Sequence, residues 1–170
     1  MAYDLDEQEQ LDQLKAWWNK YGTLVVTLLV IATAVAGSWR GWQWYEGNQA
    51  VQARGYFEAL EEAGRQKGDE SVARINAAMQ TLRADYSGTD YAARGALVAA
   101  SALAERNDLV AARAQLEWLV KSKHAALVPV AKLRLAGLLF EQKEFDAALA
   151  QLKDPSASFA GLYADRRGDI

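Results

Sequence analysis

Cysteine is absent from the 170 residues, histidine occurs once, proline occurs twice, and neither charge dominates: 19 Lys and Arg stand against 22 Asp and Glu, a formal net charge of -3. Without thiols there is no disulfide, no thiolate metal site and no cysteine nucleophile. The single histidine, His124, sits in the polar stretch Lys121-Ser122-Lys123-His124. One histidine and no cysteine do not make a zinc site of the usual type, and no Ser lies in a strained nucleophile turn that could join it in a triad. His124 reads as a solvated loop residue. A near-neutral chain with no Lys/Arg-rich run also lacks the basic face that displaces counterions from phosphates, which argues against nucleic acid. Gly37-Ser38-Trp39-Arg40-Gly41 lacks the Lys-Ser/Thr of a phosphate cradle and reads as helix packing or a bend. No catalytic, metal-binding or cofactor-binding residue emerges, no small-molecule substrate is indicated, and enzyme activity is not expected.

Charge is missing locally as well. No Asp, Glu, Lys, Arg or His occurs over the 19 residues from Tyr21 to Trp39, and Gly22 to Gly37 reads GTLVVTLLVIATAVAG. At about 1.5 Å per residue a helix of that length spans roughly 28 Å, close to the hydrocarbon thickness of a bilayer. Val, Ile and Thr are mediocre helix formers in water, but lipid tolerates no unpaired backbone polar groups and so enforces the helix. What the chain holds in excess is tryptophan, six in all, and five of them flank this run. Trp17, Trp18 and Tyr21 stand at one end and Trp39, Trp42, Trp44 and Tyr45 at the other, as membrane-interface aromatics do, with Lys20 and Arg40 placed to snorkel outward. A core helix of a soluble domain explains the apolar run but not the paired aromatic rings. A cleaved signal peptide suits Ala34-Val35-Ala36, yet residues 1–20 carry Asp4, Asp6, Glu7, Glu9 and Asp12 against Lys15 and Lys20, the opposite of a basic leader. The reading is an uncleaved, single-span anchor. Lys15 and Lys20 on one side and Arg40 and Arg54 on the other leave the positive-inside count tied.

From Glu46 to Ile170 the acidic residues number 17 (22 less the five before it) and the basic residues 16 (19 less three), an evenly mixed surface. The texture is rich in Ala and Leu without alternating β-branched runs, so the expected fold is all-α. Breaks are expected at Gly68-Asp69, Ser87-Gly88-Thr89, Asn107-Asp108, Lys123-His124, Lys143-Glu144 and Asp154-Pro155. A shift of 36 residues lays Gly95–Leu116 (GALVAASALAERNDLVAARAQL) on Ala131–Leu152 (AKLRLAGLLFEQKEFDAALAQL) with nine identities in 22 positions, mostly Ala and Leu. Small residues let paired helices approach closely while Leu fills between them, the pattern of a helix-turn-helix unit stacked on copies of itself. The period lies near that of tetratricopeptide repeats, although the Trp and Tyr of the strict consensus are missing and Pro129 is misplaced. An earlier unit is visible at Ser71–Tyr86, preceded by a long helix from about Asn48 to Arg65. Phe159–Ile170 begins what reads as a further first helix and stops after three turns, so a truncated or continuing chain is expected.

The expected organisation is an acidic segment over 1–20, a membrane helix over 21–45, a linker or first helix over 46–68, and a degenerate tetratricopeptide-like (TPR-like) helical solenoid over 69–170. Trp118 is expected in the inter-repeat core. The first helix of the second repeat is apolar nearly all round, and Leu133, Gly137 and Phe140, with Leu97, Ser101 and Ala104 one repeat earlier, form a candidate partner groove for peptide segments.

An acidic N-terminal segment leading into EQEQLDQLKAWWNKYG (Glu7 to Gly22), a span closing on GSWRGWQWY (Gly37 to Tyr45), and a degenerate repeat domain together resemble the YfgM family of Gram-negative inner-membrane proteins. The resemblance covers residues 4–170; the missing last helices are its departure. It implies a cytoplasmic N-terminus, a periplasmic repeat domain, and service as an ancillary subunit of the SecYEG translocon. It further implies partnership with the periplasmic chaperone PpiD in passing secreted chains onward. Two alternatives stay open: an adaptor in cell-envelope assembly or division, and a stress-response regulator acting through its N-terminal cytoplasmic segment, Met1 to Asp12.

Overall fold

The computed structural model describes residues 2–170 and the side chains of residues 10–68 and 70–170. The acidic side chains of Asp4, Asp6, Glu7 and Glu9 lie outside the described residues, and with them most of the acidic tail. Seven α-helices and one 3-10 turn are present, and no strand, among the described residues. They are α1 (Ala2–Arg65), α2 (Asp69–Asp85), α3 (Asp90–Ala104), α4 (Leu109–Val120), α5 (Val128–Glu141), α6 (Phe145–Gln151), the 3-10 turn Ala157–Phe159 and α7 (Ala160–Asp169). Five of the six expected breaks fall between helices, and the sixth, Gly68-Asp69, straddles the start of α2. The chain divides into two compact units, 1–47 and 48–170. Residues 48–65 thus belong with the repeats as their first helix, and the stretch 46–65 is helical rather than a loose linker. Gly37 to Gly41 is helical as well, so no break in the helix occurs there.

In the first unit, Thr27 Oγ1 donates to Thr23 O and Thr33 Oγ1 to Leu29 O, each at 2.7 Å. Two of the three threonine hydroxyls in Gly22–Gly37 are thereby satisfied one turn back, as a lipid environment requires.

The second unit is built by local rules. Thr89 caps α3 by accepting from Ala92 N at 3.3 Å, and Asp108 caps α4 by accepting from Ala111 N at 3.1 Å. Pro129, out of place in the repeat consensus, sits in the first turn of α5, where its missing N–H is no loss. The turn inside each repeat is made twice in the same way. Asp108 N donates to Leu103 O and Asn107 N to Ala104 O; 36 residues later Glu144 N donates to Leu139 O and Lys143 N to Phe140 O, all at 2.8–2.9 Å. This is the Schellman closure of a helix, which needs a left-handed residue, and Asn107 (φ 62°) and Lys143 (φ 63°) supply it. Asn tolerates that region; Lys does so at a cost of about 1 kcal/mol or more. Lys143→Gly is expected to raise stability by about 0.5–1 kcal/mol in a thermal melt, and Asn107→Gly by less.

Packing follows the repeat. Of the nine matched pairs, Ala100/Ala136, Leu103/Leu139, Ala112/Ala148 and Leu116/Leu152 are buried in both copies, whereas Glu105/Glu141 and Ala114/Ala150 are exposed in both. Helix α3 carries Ala92, Ala93, Ala96, Ala99 and Ala100 into the core and packs on α2 and α4; α4 packs on α5, and α5 on α6 and α7. These partnerships join helices near in sequence, as in a linear array. At Gly95 the packing of α3 on α2 is tight: a Cβ there would stand 3.0 Å from Leu82 Cδ1 and 3.2 Å from Met79 Sδ.

Two side chains tie helices that the sequence pattern does not connect. The Arg106 guanidinium donates to the carbonyls of Ala63, Gly64 (2.9 Å) and Gln66 at the end of α1, to Ala102 O, and to Ser71 Oγ (3.2 Å). His124, expected in solvent, has a side chain only 12% exposed, with Nε2 2.9 Å from Ser87 O and Nδ1 3.8 Å from Asp90 Oδ1. The reason is the repeat itself. The loop between α4 and α5 stacks on the loop between α2 and α3, 37 residues earlier, and the imidazole bridges them. Trp118 is half-buried against the core, with the Arg83 guanidinium 5.4 Å above its ring.

Candidate functional site

The first candidate region is the aromatic-bounded span. One described helix is long and apolar enough to cross a membrane. Its apolar side chains, among them Leu24, Leu28, Leu29, Val30, Ile31 and Val35, are exposed, unlike those of a soluble core helix. Trp17, Trp18, Tyr21, Trp39, Trp42, Trp44 and Tyr45 are all exposed too. From Trp18 to Trp39 is 21 residues, about 31 Å of helix, so the two aromatic groups fall one hydrocarbon thickness apart. Gly22 leaves room for the Trp18 indole, which lies where a Cβ would meet it at 3.1 Å. Lys20 stands 5.2 Å from the centre of the Tyr21 ring, and Trp42 Nε1 donates to Glu46 Oε1 at 2.7 Å, so each aromatic group has a polar partner. Arg40 is exposed beside Trp39.

The second region is a cleft in the repeat unit. Five of the six groove residues expected from sequence, Ser101, Ala104, Leu133, Gly137 and Phe140, line one open cleft of about 590 Å³. The sixth, Leu97, lines an adjoining cleft of about 390 Å³ that shares Ser101 and Arg134 with the first. Arg134 marks the junction, where its Nη1 donates to Leu97 O at 3.1 Å and ties α5 to α3. The far wall comes from α7: Leu162, Asp165 and Arg166. Sequence reasoning named none of these three, nor Arg134 and Glu141. The signal was present, because Arg134 and Arg166 stand at the same place in their helices, six residues after the starts of α5 and α7.

The cleft combines an apolar floor with charged walls. Leu133, Phe140 and Leu162 supply the apolar surface. Arg134, Glu141 and Asp165 enter no ion pair among the described residues, whereas Arg166 stands 3.6 Å from Asp169. In the middle of α5 sits Gly137, where an added Cβ would meet nothing within 4 Å. A mid-helix glycine costs about 0.5–1 kcal/mol relative to alanine, and here, unlike Gly95, no neighbour requires it.

Helix α7 holds this wall through Tyr163, 2% exposed, whose hydroxyl donates to Pro129 O at 3.1 Å. Arg167 Nη1 donates to Leu152 O at 3.0 Å and so closes the C-terminus of α6. Glu144 leaves its helix uncapped and pairs instead with Arg113, 2.8 Å away, which also holds Glu117 at 2.7 Å. These partners, Glu117 first, push the Arg113 pKa up. No group of His, Asp or Glu that could hold a metal ion occurs among the described residues.

The profile of the tetratricopeptide repeat-like domain family matches residues 15–170. A Haemophilus influenzae protein named "Ancillary SecYEG translocon subunit" is 31% identical, the match covering 100% of this chain and 82% of that one. Proteins with the same name from Neisseria gonorrhoeae and Escherichia coli are 30% and 27% identical, over 100% and 96% of this chain and 81% and 78% of their own lengths. No solved structure matches the chain.

Proposed function

Because the chain belongs to the tetratricopeptide repeat-like family represented by ancillary SecYEG translocon subunits, we propose that it is a membrane-anchored, non-catalytic interaction subunit of the SecYEG translocon. The observation that carries this reading is coverage: relatives bearing that name align with the anchor and the repeats together, not with the repeats alone. The repeat unit then works as a docking surface and the span as its tether. In this proposal the N-terminus is cytoplasmic, the chain crosses the inner membrane once, and the repeats stand in the periplasm, where a chaperone such as PpiD receives secreted chains. The tied Lys/Arg count on the two sides is why orientation needs its own experiment.

Protease treatment of spheroplasts expressing the chain with separate N- and C-terminal tags tests the topology. Loss of the C-terminal tag with a protected N-terminal tag on an anchor fragment is the expected outcome; protected repeats overturn the orientation. Purification of the full chain from mildly solubilised membranes is expected to bring SecYEG with it. Its absence, with division or envelope-assembly proteins in its place, moves the reading to an envelope adaptor.

A further inference from the structure

We infer that the cleft between α3, α5 and α7 is a socket for one large apolar side chain on an amphipathic partner helix, with an acidic and a basic residue of that helix flanking the anchor. The inference rests on the protein-interaction reading above and names the chemistry of the partner. Three observations carry it. Gly137, with Ala100, Ser101 and Ala104 facing it from α3, leaves a hollow of small residues in the middle of the cleft, and the space above Gly137 is open. A glycine that no neighbour requires, kept in a helix interior against its propensity, leaves a volume that a side chain from outside can fill.

The apolar lining also has a helical repeat. Leu133, Gly137 and Phe140 recur at i, i+4 and i+7, over about 10 Å of α5, the spacing with which an apolar face of a second helix interdigitates. Leu162, exposed on α7, extends this surface on the far side.

Charge supplies the third argument. Arg134 stands at one end of the lining, and Glu141, seven residues on, stands at the other with Asp165 on the facing wall. None of the three has an ion-pair partner among the described residues. A partner helix carrying a carboxylate near Arg134 and an amine near Glu141 and Asp165, about two turns apart, complements both ends. Exposed pairs of this kind fix register and direction more than affinity, so the anchor residue dominates binding.

The test uses the full chain in lipid nanodiscs and a fluorescent helical peptide of about 16 residues, Ala-rich, with one Trp between a Glu and a Lys two turns apart. Anisotropy titrations compare it with the same peptide carrying Ala for Trp, and with one carrying Gln for both charged residues. The Trp→Ala peptide is expected to bind at least tenfold more weakly, and the Gln peptide severalfold more weakly. Gly137→Leu fills the socket and is expected to weaken the Trp peptide at least tenfold while its melting temperature holds or rises. Indifference to the Trp, unchanged binding by Gly137→Leu, or no binding by any peptide overturns the socket. Co-purification of SecYEG with the wild-type chain is read in parallel. SecYEG capture without Trp-dependent binding overturns the socket and leaves the translocon reading in place; Trp-dependent binding without SecYEG supports the socket and removes that reading.

Discussion

Arg106→Ala is expected to lower the stability of the repeat unit by roughly 2–4 kcal/mol, seen as a fall in Tm on the order of 10 °C by circular dichroism of the purified chain. The last carbonyls of any helix lack partners within the helix, and at the end of α1 those of Ala63, Gly64 and Gln66 all face one guanidinium. A cation there also meets the negative end of the helix dipole. Removing it strands several partly buried acceptors at once, and Ser71 on α2 loses the donor that reaches it from Arg106. Arg106→Lys is expected to recover less than half of the loss, since an ammonium is a point charge that cannot reproduce a planar fork. A loss below about 1 kcal/mol would mean that water serves those carbonyls as well as the arginine does.

Tyr163→Ala is expected to detach α7. Tyr163 is the one buried residue of this ten-residue helix, and truncating a buried aromatic ring costs about 3–5 kcal/mol. The docking energy of a short terminal helix is smaller than that, so the whole helix is expected to release before the loss is fully felt elsewhere. Hydrogen exchange should show protection vanishing over Ala160–Asp169 and persisting in α3, α4 and α5. Equal loss across all helices would show that α7 is integral to one cooperative unit. Tyr163→Phe isolates the hydroxyl and is expected to cost about 1 kcal/mol. It also carries a pH signature. Burial raises the Tyr163 pKa, so the folded state holds its proton longer than the unfolded one. Its contribution is complete below the unfolded value of about 10 and is lost as pH climbs through the folded value. The phenylalanine variant should therefore lose less stability on alkaline titration than the wild type.

Much of this architecture was legible in the sequence because it rests on local or periodic signals. Turn residues mark all six breaks, and a 36-residue self-match brings Ser101, Ala104, Leu133, Gly137 and Phe140 to one cleft. The span is legible because lipid leaves a 19-residue run only one conformation. What the sequence hides depends on distant partners. Nothing around Arg106 signals that it reaches carbonyls about 40 residues upstream. His124 looks like a loop residue because its partner, Ser87 O, is a backbone atom in another loop. The α7 wall escaped because Leu162, Asp165 and Arg166 lie outside the 36-residue self-match. Lys143 gives no hint of a left-handed turn, which only the equivalence with Asn107 reveals.

The helices of the repeat unit pack on partners close in the chain, and this sets the course of folding as well as the final shape. Chains dominated by short-range contacts close small loops at each step, which places them among the faster folders, in microseconds to milliseconds. Released N-terminus first, from a ribosome or a channel, the chain can complete each helical hairpin before the next one emerges. The growing end then offers one unsatisfied helix face at a time, and an unfinished domain exposes little for aggregation to seize.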